Sequence, residues 1–228
     1  MVSPEDPGVT AHRTWRYRLA QALMYVVNPL LLPPLLFGLV LVHVGAPATE
    51  IAWTVSVALV FFFAVPLAYV LWLVRSNRIV TVEIRDRAHR RGPFLVGLAS
   101  YAVAFVLLSQ TLPTAASLVL ALLGAHIVNT ALLLLVTLRW KISLHTAGIA
   151  GFASVMLFVA QVPWIGAAAP PFFQAGVLLP AFLLVPLLMW ARVHTGAHTW
   201  GQVTAGTLFG LLVPYVELWG LWALRVFD

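Results

Sequence analysis

From Leu19 to Leu224 the chain is a succession of apolar runs, each about twenty residues long and parted by short breaks. A helix rises ~1.5 Å per residue, so a run of ~20 residues matches the ~30 Å hydrocarbon core of a bilayer. Composition agrees: 62% of the residues are hydrophobic and only 9% are charged, far outside the range of a soluble domain. The fold class expected is all-α, a polytopic transmembrane helical bundle of six to seven spans. It forms one domain at 19–228 behind a polar, basic N-terminal segment at 1–18.

The expected spans are Leu19–Val42, Ile51–Val74, Phe94–Leu112, Ala115–Leu138, Thr146–Val162, Phe172–Trp190 and a seventh ending near Leu224. The first is too long for the apolar region of a signal peptide, so it is expected to stay attached as a spanning helix kinked at Asn28-Pro29 and Pro33-Pro34. Uncharged turns at Pro113-Thr114 and 163–171 mark the far side. Small residues at Gly148, Gly151 and Ala153, and at Gly206 and Gly210, offer faces for close helix packing.

Alternation of the spans puts the N-terminus and the breaks at 75–93, 139–145 and 191–198 on one face. Twelve of the 13 basic residues fall there and only Arg225 falls opposite. The positive-inside rule makes that face cytoplasmic, in a multi-pass protein of the cell membrane. The net charge of +6 is accordingly read as topology and contact with anionic lipids, with no nucleic-acid partner. The chain has no Cys, which excludes disulfides, thiolate metal sites and Cys nucleophiles.

Polar groups are costly near a bilayer, so clusters at span boundaries are candidate sites. Ser143 and His145 stand at the mouth of a helix, where free N–H groups and the positive dipole end favour an anion. Arg192 lies six residues before His198, which precedes Gln202 by four; that last spacing puts imidazole and amide side by side on a helix. The amide can then fix the tautomer of the ring. Cations, helix N-termini and two histidines on one face make a phosphate site.

This pattern, Ser143-x-His145 followed after 46 residues by Arg192-x5-His198-x3-Gln202, resembles the second and third motifs of the type 2 phosphatidic acid phosphatase superfamily of lipid phosphatases and vanadium haloperoxidases. The likeness covers roughly Arg85 to Gly210. It implies a phosphatase core in which His198 is the nucleophile that forms a phosphohistidine and His145 the general acid. Arg192 and Ser143 then bind phosphate oxygens, and Lys141, which stands where this chain departs from the second motif, compensates as an extra phosphate ligand. No metal and no cofactor is needed. The first motif is only partly present, and assigns Arg85 and Arg91 to phosphate, with Arg87 and Arg90 as competitors.

The chain departs from that pattern where Gln202 replaces an Asp. An amide orients the ring without neutralising an imidazolium, a change that costs about ten-thousandfold in a serine-protease triad. The segment Lys141-Ile142-Ser143-Leu144-His145 also lacks the usual Pro and Gly, which suggests a helical loop in place of a tight turn.

The function these residues imply is hydrolysis of a prenyl or acyl lipid phosphate or diphosphate. The lipid enters sideways between helices, with its tail in the bilayer. Two other readings use the same pocket: a non-hydrolytic lipid-phosphate binder or flippase, and a lipid phosphotransferase. His194, four before His198, has no carboxylate or thiol beside it to complete a metal site. His126 and Asn129 read as helix-to-helix hydrogen bonders, and Glu217 as an acid inside the membrane.

Overall fold

The computed structural model of the protein describes residues 14–82, 84, 87–112, 116–162 and 174–226, and all the regular structure among them is helical. Eight helices follow in order: α1 Trp15–Val26, α2 Leu32–His43, α3 Ala48–Arg75, α4 Arg91–Thr111, α5 Ala116–Arg139, α6 Leu144–Gln161, α7 Leu179–His194 and α8 Trp200–Ala223. Six of them, α3 to α8, are long and apolar enough to cross a membrane, α7 being counted from Gly176 and α5 from Ser117. This is a multi-pass membrane protein. The expected turns at Pro113-Thr114 and 163–171 lie outside the described residues.

The expected first span is not one helix. The chain leaves helical geometry at Val27 and resumes it at Leu32. Pro29 disfavours helix at Asn28, and the Asn28 side chain accepts a hydrogen bond from the Leu30 N–H at 3.0 Å, replacing the lost ladder with a local turn. Pro33 and Pro34 do not kink a helix either. They fall in the first turn of α2, where a missing N–H costs nothing.

Within α3 the residues Leu59–Ala64 form a π-helical turn just before Pro66. The proline has no N–H to give the carbonyl five residues back, that of Phe61. The hydroxyl of Ser100 on α4 donates to this oxygen at 2.6 Å, satisfying it without water.

The helix pair that positions everything else is α6 with α8, the most extensive contact in the protein. The two run parallel and both begin on the same side of the bundle. Gly206 and Gly210 let the backbones touch: a Cβ on Gly206 meets Thr146 Oγ1 at 2.6 Å, and one on Gly210 meets Ala150 Cβ at 2.9 Å. Cross-helix hydrogen bonds join them, from Thr146 Oγ1 to the Val203 carbonyl at 3.1 Å and from Ser154 Oγ to the Leu211 carbonyl at 2.9 Å. α6 is the central helix, with Ala150, Ala153, Met156, Phe158 and Val159 wholly buried.

Candidate phosphate-binding site

The breaks between α3 and α4, α5 and α6, and α7 and α8 meet at one end of the bundle, and hydrogen bonds tie them to one another. Arg90, buried just ahead of α4, donates through Nη1 to the Ile142 carbonyl at 3.1 Å and through Nε to the Ile84 carbonyl at 2.9 Å. Lys141 Nζ donates to the Ala197 carbonyl at 2.9 Å. The Ser143 N–H donates to the Gln202 carbonyl at 3.3 Å, joining the starts of α6 and α8. Three helix N-termini, of α4, α6 and α8, therefore point their positive ends into this region.

The segment Lys141 to Ser143 is not helical, contrary to the reading of the sequence. Ser143 is extended (φ −85°, ψ 109°) and caps α6, its Oγ accepting from the Thr146 N–H at 3.4 Å. Capping uses the oxygen as acceptor, which leaves the hydroxyl proton for another partner. Ser143 is completely buried.

Arg192 lies in the last turn of α7 with only 3% of its surface exposed. Gly196 then turns the chain at φ +66°, a left-handed conformation that ends the helix and sends the backbone back over it. As a result the N–H groups of Ala197 and His198 both donate to the Arg192 carbonyl at 3.1 Å. Arg192 and His198 are held together through one oxygen, six residues apart in sequence.

His198 precedes α8 and is not part of it, so its neighbour Gln202 is not a helical i,i+4 partner. A capping box brings them together. Thr199 caps α8, its Oγ1 accepting from the Gln202 N–H at 3.4 Å, while Gln202 Oε1 accepts from the Thr199 N–H at 3.3 Å. The same Oε1 lies 2.9 Å from Nδ1 of His198. A backbone N–H can only donate, which identifies the Gln202 atom as oxygen. Nδ1 must therefore carry the ring proton, and Nε2 presents its lone pair.

Burial holds the pKa of His198 far down, to about 3, and the Arg192 guanidinium adds to this, with smaller contributions from Lys141 and Arg90; the Gln202 hydrogen bond pulls the other way. The ring is neutral at physiological pH. His145, in the first turn of α6, lies within the fields of Arg192, His198 and Arg90, and its ring is hydrogen-bonded to the backbone of Met24.

Met24 is the residue that the sequence did not signal. It comes from the last turn of α1, which packs along α7, and its Sδ receives Arg192 Nη1 at 3.1 Å and Thr195 Oγ1 at 3.7 Å. A thioether is a weak acceptor, so this is a poor partner for a guanidinium.

Of the residues assigned from sequence, His145, His198, Gln202, Arg192, Ser143 and Lys141 are brought together. Arg91 is exposed at the start of α4, and the adjacent Arg90 is the one that reaches the cluster. Arg85 lies outside the described residues. Thr199 was legible as the first residue of a Thr-x-x-Gln capping box. His194 stacks on Trp190, and no group of three metal-ligating side chains occurs among the described residues. No family model matches the chain, and no curated protein or solved structure matches it.

Proposed function

We propose that the protein is a membrane lipid phosphatase that transfers the phosphoryl group of a prenyl or acyl lipid phosphate or diphosphate to His198 and then to water. The observation that carries this reading is the fixed tautomer of His198: Nδ1 donates to Gln202, Nε2 keeps its lone pair, and the charges of Arg192 and Lys141 act on the ring. A neutral imidazole is a competent nucleophile, and cations beside it offset the charge on the transferring group.

In this mechanism Arg192, Lys141, Arg90 and Ser143 hold the phosphoryl oxygens. Nε2 of His198 forms a bond to phosphorus while the bond to the lipid oxygen breaks, and His145 gives that oxygen its proton. Water then attacks the phosphorus as the bond to Nε2 breaks, giving a proton back to His145 and returning the His198 ring to its neutral form. The basic end of the bundle is cytoplasmic by the positive-inside rule. Thiol labelling of Arg78→Cys and Thr49→Cys variants, in a chain without native Cys, tests that sidedness.

Purified protein is expected to release phosphate from a panel of lipid phosphates without added metal, and His198→Ala to abolish the release. Equal release by the two proteins overturns the reading. Gln202 supports a second reading, a lipid-phosphate binder or flippase that does not hydrolyse, because an amide leaves the developing imidazolium uncompensated. Binding of the same lipids with no phosphate release by the wild type selects it.

A further inference from the structure

Glu217 is an acid inside the membrane with a neutral partner. It lies in α8, half-buried, and its Oε2 accepts from Asn129 Nδ2 on α5 at 2.7 Å. No other hydrogen bond or ion pair involves it among the described residues. Against a carboxylate the amide must present its nitrogen, so Asn129 Oδ1 is the end left over. That oxygen is buried with no hydrogen-bond partner among the described residues, on a side chain only 9% exposed. An acid without a cation and an acceptor without a donor are both costly in hydrocarbon, and here they stand side by side.

Asn129 lines a half-open cavity of about 260 Å³ between α2, α3, α4, α5, α6 and α8. It stands midway along the α5 wall, which runs from Leu133 to Leu122. It is ten residues before Arg139, and so ~15 Å deep in a hydrocarbon core of ~30 Å. His126, three residues away on the same wall, has its ring centroid 5.1 Å from that of Tyr101 and 5.2 Å from that of Phe62. Tyr101 lines the cavity from α4, and the rest of the walls are mostly apolar. Ser143, His145, Arg192, His198 and Gln202 are not in the lining, so this place is separate from the phosphate cluster.

The chemistry of an occupant follows from what the wall lacks. It supplies an N–H to Asn129 and a positive charge to Glu217, and the aromatic rings in the wall favour the same charge. A divalent metal ion wants about six oxygens, which mostly apolar walls do not offer. A dry cavity of ~150 Å³ accepts benzene, so this one has room for an apolar body larger than one ring. We propose that the cavity binds a lipophilic amine in its protonated form, with its ammonium donating to Asn129 Oδ1 and balancing the charge of Glu217 while its apolar body fills the space around them. Such a ligand is already dissolved in the bilayer that surrounds the helices.

The test is competition binding to the detergent-purified full chain, with radiolabelled phenylbutylamine displaced by the same amine, its trimethylammonium, phenylbutanol or butylbenzene. The amine has both charge and N–H, the trimethylammonium charge alone, the alcohol a neutral donor and the hydrocarbon neither. The amine is expected to compete about tenfold better than each of the others, as the loss of a charge-assisted hydrogen bond implies. Arg90, Lys141 and Arg192 repel a cation, which keeps the phosphate cluster out of the measurement. Glu217→Gln keeps an acceptor for Asn129 Nδ2 and removes the charge, so it should weaken the amine about tenfold and leave the alcohol unchanged. Asn129→Leu should weaken both. An alcohol that competes as well as the amine, or an amine unmoved by Glu217→Gln, overturns the amine as occupant. Hydrocarbon equal to the amine, or no saturable binding of the label, overturns the site itself, and that comparison uses the wild type alone.

Discussion

The side-chain oxygen of Gln202 accepts from Nδ1 of His198 at 2.9 Å while also receiving the Thr199 N–H that opens α8. One atom thus sets both a helix start and the tautomer of the candidate nucleophile. Gln202→Glu keeps the reach and the capping acceptor and adds the charge that an imidazolium needs. It is expected to raise phosphate release substantially, up to a ceiling of about ten-thousandfold, and Gln202→Asp to raise it if the shorter side chain still reaches Nδ1. Gln202→Leu loses both roles and should lower stability by about 1 kcal/mol through the broken cap. Initial rates on one lipid phosphate, together with thermal melting, separate the two effects.

Acid should destabilise the protein partly through His198. Its pKa is lowered from 6.5 to about 3 in the folded state, so between those values the unfolded chain binds a proton that the folded chain does not. Stability is full above about pH 6.5 and is lost as the pH falls toward 3. Each pH unit in that window corresponds to about 3–5 °C of melting temperature for a chain of this size. His198→Gln is expected to flatten that slope between pH 7 and pH 5; an unchanged slope would place the acid sensitivity elsewhere.

Met24 Sδ sits against Nη1 of Arg192, and a phosphate oxygen that binds this nitrogen has to replace it. Met24→Ala removes a weak sulfur acceptor and opens the pocket, so orthovanadate and inorganic phosphate should bind about tenfold more tightly. Calorimetric titration of both proteins checks this. Affinity unchanged or weaker in the variant would mean that Met24 supports the pocket instead of filling it.

Gly210→Val should be among the most damaging single changes. Its added carbons meet the Ala147 carbonyl and Ala150 Cβ across the α6–α8 contact, where neither side is a flexible side chain. A cost of about 3 kcal/mol is expected, with activity lost alongside stability. Gly220→Ala, further along the same helix with nothing within 4 Å of the new carbon, is the matched control and should be neutral or mildly stabilising. Detergent melting curves of the two variants make the comparison.

The spans were legible because apolar length reports directly on crossing a bilayer, and the packing glycines because lipid offers no other means of close approach. The face shared by Ser143, His145, Arg192, His198 and Gln202 followed from alternation alone. The break at Asn28 was read as a kink because hydropathy does not register where a backbone turns; only the Asn-Pro pair carried that signal. Arg90 and Arg91 are neighbours of like charge, and nothing local says which is buried. Met24 could not be found at all, since a methionine in an apolar helix looks the same whether it faces lipid or a guanidinium.

The parallel pairing of α6 with α8 also has a consequence for the order of synthesis. Ser143 and His145 leave the ribosome before α7 has crossed the membrane, and their partners His198 and Gln202 follow only afterwards. α6, the most buried helix, spends that interval without the surface that will cover it. A nascent chain therefore carries half a pocket through its whole insertion, and acquires the rest when the last long helix docks.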